Sequence, residues 1–129
     1  MEAAGATPLL IAGDRADAPL MRLLLESGAD PAIPNEDGTT ALMVAAGVGL
    51  WAPGESPGTS QEALAAVKLA FESGGGNVDD IDDNGETAMH GAVYRGGALP
   101  VIQYLADQGS PLDVVNAKGW TPLVAAEGV

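Results

Sequence analysis

A chain of 129 residues is the length of one domain, and its apolar content, mostly aliphatic side chains and alanine with few aromatics, suits thin elements stacked closely. Five basic residues against 18 acidic ones give a formal charge of −13, which argues against a phosphate-tracking nucleic-acid face and against an anionic membrane surface. The absence of cysteine excludes a disulfide framework, a thiolate nucleophile and a Cys-based zinc site, and fits a reducing compartment.

The chain opens MEAAGATPLLIAGD, with an acidic residue where a signal peptide needs basic ones. The longest apolar run, Ala41 to Pro53, falls short of the roughly 20 residues of a spanning helix. A cytoplasmic protein is therefore expected. The first unit covers 5–37: Thr7 caps a short helix Pro8–Ala12, Asp14–Asp17 turns, and a second helix Pro19–Ser27 carries Leu20, Met21, Leu23, Leu24 and Leu25. Gly28 stops that helix, and Ala29–Asp37 forms an extended finger stiffened by two prolines. PLLIA is apolar all round, so this end of the molecule asks for cover.

The second unit covers 38–84. Its first helix is Ala41–Val48, followed by an insertion, 49–60 (GLWAPGESPGTS), broken repeatedly by glycine and proline. With Ser60 as cap, a helix Gln61–Glu72 is expected to turn Leu64, Ala65, Val67, Leu69 and Phe71 inward. Gly74–Gly76 holds one residue more than the other helix stops, slack that should loosen the approach to the acidic finger Asn77–Glu86. The third unit covers 85–118, with helices Thr87–Tyr94 and Leu99–Asp107 joined through Gly96-Gly97, a stop at Gly109 and a finger Ser110–Lys118. A partial unit, 119–129, ends after its first helix and leaves Leu123, Val124 and Ala125 without an outer mate.

These units repeat one phrase. GATPL, GTTAL, GETAM and GWTPL place threonines at Thr7, Thr40, Thr87 and Thr121, spaced by 33, 47 and 34. A glycine precedes each later threonine by 12 positions: Gly28, Gly75 and Gly109. A period near 33 with one longer member is a repeat array carrying an insertion. The phrases resemble the ankyrin repeat family: Thr7-Pro8-Leu9 with Leu23-Leu24-Leu25 and Gly28-Ala29-Asp30, then Gly85-Glu86-Thr87-Ala88-Met89-His90 with Val101-Ile102, then Gly119-Trp120-Thr121-Pro122-Leu123 with Ala125-Ala126.

The resemblance implies an all-α helix–turn–helix solenoid with extended, β-hairpin-like fingers. It implies a non-catalytic module that binds another protein on its concave finger and inner-helix face. The family's usual contact positions fall on Asn35, Glu36 and Thr39, on Asp83, Asn84 and Glu86, and on Ala117, Lys118 and Trp120. From the inner helices they add Asp14, Arg15, Val48, Tyr94 and Arg95. Most of these are polar or acidic, so a partner with a basic or mixed surface is expected. The alternative is structural self-association, a homodimer or end-to-end stack through the apolar terminal units.

Other motifs are weighed against plain structure. Asp80-x-Asp82-x-Asn84-Gly85 matches the first half of a calcium loop, but its twelfth position is Gly91 instead of glutamate, and an acidic turn is the simpler reading. Gly54-Glu55-Ser56-Pro57-Gly58 matches a hydrolase elbow without its strand–helix setting or a histidine in reach. His90 is expected to tie adjacent repeats by hydrogen bonds, as the resemblance implies. Trp120 either meets a partner or lies on its own finger, and Trp51 either anchors the insertion or offers an aromatic hot spot. No enzyme activity, metal site or cofactor is expected.

Overall fold

The computed structural model describes residues 7–48, 59–94 and 99–126, with side chains to residue 124. Among the described residues seven helices follow one another: α1 (Pro8–Asp14), α2 (Ala18–Glu26), α3 (Ala41–Ala46), α4 (Ser60–Glu72), α5 (Ala88–Tyr94), α6 (Leu99–Asp107) and α7 (Pro122–Ala126). The odd-numbered helices pack in sequence, α1 on α3, α3 on α5 and α5 on α7, forming an inner layer. The even-numbered ones pack α2 on α4 and α4 on α6, forming an outer layer over it. This two-layer, all-α solenoid is the expected fold. No strand occurs among the described residues, so the fingers are tight turns with extended stems.

Each inner helix starts the same way. The threonine hydroxyl accepts from the backbone N–H three residues on: Thr7 from Leu10, Thr40 from Met43, Thr87 from His90 and Thr121 from Val124. Such a cap contributes about 1 kcal/mol, and Pro8 and Pro122 occupy first-turn positions where no donor is lost. The helices are short, so stability comes from the sandwiched core: Leu9, Leu10, Met21, Leu42, Val44, Val67, Met89, Val101 and Leu105, with alanines filling the thin gaps.

The alanines correct one expectation. On α4 the inward face is Ala63, Ala66, Val67 and Ala70; Ala65 is exposed, and Leu64, Leu69 and Phe71 are only half-buried. Close stacking selects small residues for the contact line and pushes the larger ones to its flanks, where the Phe71 ring meets Tyr104 of α6 edge-on at 6.2 Å. Similarly on α2, Met21 is buried, whereas Leu20 and Leu23 are exposed. The start of α4 is also corrected. Thr59, not Ser60, is the cap: its hydroxyl accepts from Glu62 N–H at 3.1 Å, while the Glu62 carboxylate accepts from Thr59 N–H at 2.9 Å. That reciprocal capping box draws residues 59 and 60 out of the insertion and into the helix start.

The helix stops bring a further correction. Gly28, Gly74 and Gly109 are equivalent: each has φ between +88° and +101° and donates to the carbonyl three residues back. The extra residue therefore follows Gly74. It is not slack. A Cβ on Gly75 would lie 2.8 Å from the Ala70 carbonyl oxygen, one on Gly76 would lie 2.7 Å from Thr40 Oγ1, and Gly75 O accepts from Leu42 N–H. The glycines press the loop onto the start of α3. Trp51, the Gly54–Gly58 motif, Gly96-Gly97 and Arg95 lie outside the described residues.

Candidate functional site

Three finger tips share one construction. Asn35, Asp82 and Asn116 stand at the same position, each three residues before a glycine. Each uses its side-chain Oδ1 to accept two backbone N–H groups, two and four residues on: Asp37 and Thr39, Asn84 and Glu86, Lys118 and Trp120, all at 2.9–3.0 Å. Each also donates its own N–H to the carbonyl four residues on. Gly38, Gly85 and Gly119, at φ +76°, +75° and +82°, close the turns by donating back to the carbonyl of the Asx residue. A short polar side chain is required at the first position, because it replaces the missing backbone partners of the turn.

The tips are also tied to one another. Asp83 N–H donates to Asp37 O and Ala117 N–H to Asn84 O, both at 2.8 Å, so successive fingers sit in the same register. Beneath these bonds run side-chain pairs. Thr39 Oγ1–H donates to Asp82 Oδ2 at 2.9 Å. Asn116 Nδ2 donates to Glu86 Oε1 at 2.6 Å and to the Tyr94 hydroxyl at 3.0 Å, and that hydroxyl donates to Glu86 Oε1 at 3.0 Å. Burial, then the hydrogen bond and negative charge of Glu86, push the Tyr94 hydroxyl well above the usual tyrosine range.

His90 completes the tie. Its Nδ1 faces Thr87 N–H at 3.2 Å and the Thr87 hydroxyl at 3.0 Å, and its Nε2 lies 2.9 Å from Trp120 O. A carbonyl only accepts and an amide N–H only donates, so the proton sits on Nε2. His90 thus joins the start of its own inner helix to the next finger, as expected of it.

This geometry sorts the expected contact residues. Asn35, Thr39, Glu86 and Val48 are buried. The first three make the bonds within and between tips. In the first finger the exposed pair is Glu36 and Asp37, in register with Asp83 and Asn84 and with Ala117 and Lys118; counting back from the glycine, not from the proline stem, gives that alignment. Val48 is covered because Gly91 of α5 comes so close that a Cβ there would lie 2.5 Å from Val48 N. Glu36, Asp83, Asn84, Ala117, Lys118 and Arg15 are exposed, whereas Asp14, Tyr94 and Trp120 are partly covered. Lys118 Nζ lies 4.8 Å from the centre of the Trp120 ring, a cation–π contact along the finger.

The half-matched calcium loop is occupied by protein bonds. Both oxygens of Asp82 are engaged as described, and Asp80 Oδ2 accepts from Asn77 N–H at 2.8 Å. Among the described residues no three His, Cys, Asp or Glu side chains gather to hold a metal ion, and no helix is long and apolar enough to cross a membrane.

Two family models match the chain: Ankyrin repeat over residues 4–36 and Ankyrin repeats (many copies) over residues 60–106. Over 121 residues, 93% of the chain, it is 32% identical to Ankyrin repeat and SOCS box protein 16 of Mus musculus, covering 25% of that protein. Over 62 residues, 46% of the chain, it is 36% identical to NAD-dependent deacetylase sir2B of Dictyostelium discoideum, covering 8% of that protein. The chain thus spans a quarter or less of the length of these relatives.

Proposed function

Because the chain belongs to the ankyrin repeat family, a family of protein–protein interaction modules, we propose that its partner docks across the finger tips and the adjoining inner-helix ends. The arrangement of the tips carries this reading. Internal hydrogen bonds hold three tips in one register through the backbone, and the side chains of the second and third residues of each, Glu36-Asp37, Asp83-Asn84 and Ala117-Lys118, stand exposed. A row of side chains on a pre-ordered backbone binds at little entropic cost. The proposal adds Trp120 beside the last tip and, from the inner-helix ends, Asp14, Arg15, Tyr94 and Arg95. The repeats divide at 5–37, 38–84, 85–118 and 119–129.

The partner is a protein with a basic or mixed surface. A net charge of −13 disfavours nucleic acid and anionic membrane, and with no cysteine the cytoplasm is the fitting compartment. The module acts without catalysis and without a cofactor. Selection of protein fragments on the intact chain tests this. Binders should lose about tenfold or more in affinity for the variant Glu36→Ala/Asp83→Ala/Lys118→Ala/Trp120→Ala. They should be indifferent to Gln103→Ala on α6. Binders that ignore the first variant would remove the finger face from consideration.

A second reading, self-association, rests on the ends. Leu9, Leu42 and Met89 share the second position after the capping threonine and are at most 3% exposed, whereas Leu123 at that position is 67% exposed. At the other end Ile11 is 41% exposed, though Val44 in its register is buried. Mass by light scattering over a hundredfold concentration range should rise if these ends meet in a second copy, and stay constant if they do not.

A further inference from the structure

The residues before the buried Asx column form a second row. Pro34, Ile81 and Val115 each precede Asn35, Asp82 and Asn116, and all three are exposed, Ile81 to 55% and Val115 to 57%. Ile33 beside Pro34 is exposed to 48%. The inter-finger bonds from Asp83 to Asp37 and from Ala117 to Asn84 fix the register, so these apolar side chains line up from finger to finger. On the other side of the Asx column runs the charged row, and its charge changes along the molecule: Glu36 and Asp37, then Asp83 and Asn84, then Ala117 and Lys118.

The wider charge distribution agrees. Half of the chain's 18 acidic residues fall in the finger segments 29–37, 77–86 and 110–118, with one lysine among them. The other described cations stand elsewhere: Arg15 after α1, Arg22 on α2 and Lys68 on α4, whose Nζ lies over the Tyr104 ring. Medium-sized apolar side chains held exposed beside the carboxylates of Glu36, Asp37 and Asp83 offer two different attractions a few residues apart. Only a ligand carrying both apolar and cationic groups satisfies them together.

We infer that the finger edge takes a basic amphipathic segment of a partner protein, laid across the fingers with its apolar side chains on Ile81 and Val115 and its cations over Glu36, Asp37 and Asp83. The inference rests on the partner-binding reading above and adds the chemistry of the partner and the second row of contacts. The lysine end of the charged row sets the direction: the cationic end of the segment lies toward the first two fingers, away from Lys118. Charge attraction brings the segment in, and the apolar row distinguishes it from a merely basic peptide.

The test uses the full chain and three labelled synthetic peptides of equal length: alternating leucine and lysine, alternating serine and lysine, and alternating leucine and glutamate. Fluorescence anisotropy should show the leucine–lysine peptide binding about tenfold tighter than serine–lysine, with leucine–glutamate not binding. Ile81→Ser/Val115→Ser should erase the difference between the two lysine peptides. Leu20→Ser/Leu23→Ser, which removes apolar side chains exposed on α2, should leave it intact. Ile81→Lys alone should weaken the leucine–lysine peptide by like charge and gives an independent readout from an exposed site. Equal binding of the two lysine peptides, no binding at all, or equal losses in the Ile81/Val115 and Leu20/Leu23 variants would overturn the inference. Binding that survives Ile81→Ser/Val115→Ser but is lost with Glu36→Ala/Asp83→Ala/Lys118→Ala/Trp120→Ala overturns it too, while leaving the finger-tip reading in place.

Discussion

Thr39 and Asp82, 43 positions apart in sequence, meet in a buried hydrogen bond of 2.9 Å in which the hydroxyl donates to the carboxylate. At the next junction the same two positions hold Glu86 and Asn116, and the direction of donation is reversed. Each junction between fingers thus contains one donor and one acceptor, supplied from opposite sides.

Asp82 serves three donors, Thr39 Oγ1–H and the N–H groups of Asn84 and Glu86. Asp82→Ala leaves them without that partner, the Thr39 hydroxyl and the Glu86 N–H at buried positions, and should destabilise the chain by about 3 kcal/mol in urea denaturation. Asp82→Asn keeps Oδ1 for the two N–H groups and turns its amide toward the Thr39 oxygen, so its cost should be about 1 kcal/mol or less. Equal losses for the two variants would show that the negative charge, not the acceptor geometry, is what the junction needs.

His90→Ala removes the bond to Trp120 O and the partner of Thr87, and opens a cavity at a fully buried site. A loss of about 3 kcal/mol is expected. The effect should be local first: amide exchange at Asn116 and Trp120, whose N–H groups belong to the last tip, should quicken more than at Asn35 and Thr39 of the first.

Two glycines separate steric crowding from backbone strain. Gly91→Ala places a methyl group 2.5 Å from Val48 N, against backbone that cannot step aside, and should cost about 3 kcal/mol. Gly109→Ala meets nothing within 4 Å but holds φ at +88°, and should cost about 1 kcal/mol. Thermal unfolding of the two variants in parallel gives the order.

The Tyr94 hydroxyl is raised by burial and by Glu86, so its neutral form is favoured in the folded chain. A folded value above the unfolded one means that the stabilisation is complete below about pH 10, where an unfolded tyrosine titrates. It then declines as pH rises further toward the folded value. Phenolate absorbance should therefore appear in two stages. Tyr104, raised less deeply by burial and by Glu72, comes first, and Tyr94 follows together with loss of helical circular dichroism. Tyr94→Phe should abolish the late stage.

The fold was legible because its punctuation is local. Thr7, Thr40, Thr87 and Thr121 cap helices through their own backbone, so a spacing of threonines is a spacing of helix starts. The start of α4 was equally readable from Thr59-x-x-Glu62, a signal hidden by treating 49–60 as one loop. The site was less legible. Glu36 and Asn35 are neighbours of similar polarity, yet one is exposed and the other holds the turn; only counting from Gly38 separates them. Val48 is apolar and covered for a reason that lies in another repeat, the absent side chain of Gly91, and no local pattern carries that. The reversed pairing of Thr39 with Asp82 and Glu86 with Asn116 is a relation between distant positions and becomes visible only when the fingers are side by side.

That reversal makes the units unlike beads on a string. Placing the second finger directly after a copy of itself would set Glu86 against Asp82, two inward acceptors with no donor between them. Placing it after the third would set Trp120 against Asp82 and leave that carboxylate without the hydroxyl it now holds. The first finger can precede either of the others, since a hydroxyl gives or takes a hydrogen bond. The order of the repeats is therefore constrained by their seams, and a chain lengthened or shuffled by recombination must rewrite the seam residues wherever a new joint lacks a donor facing an acceptor.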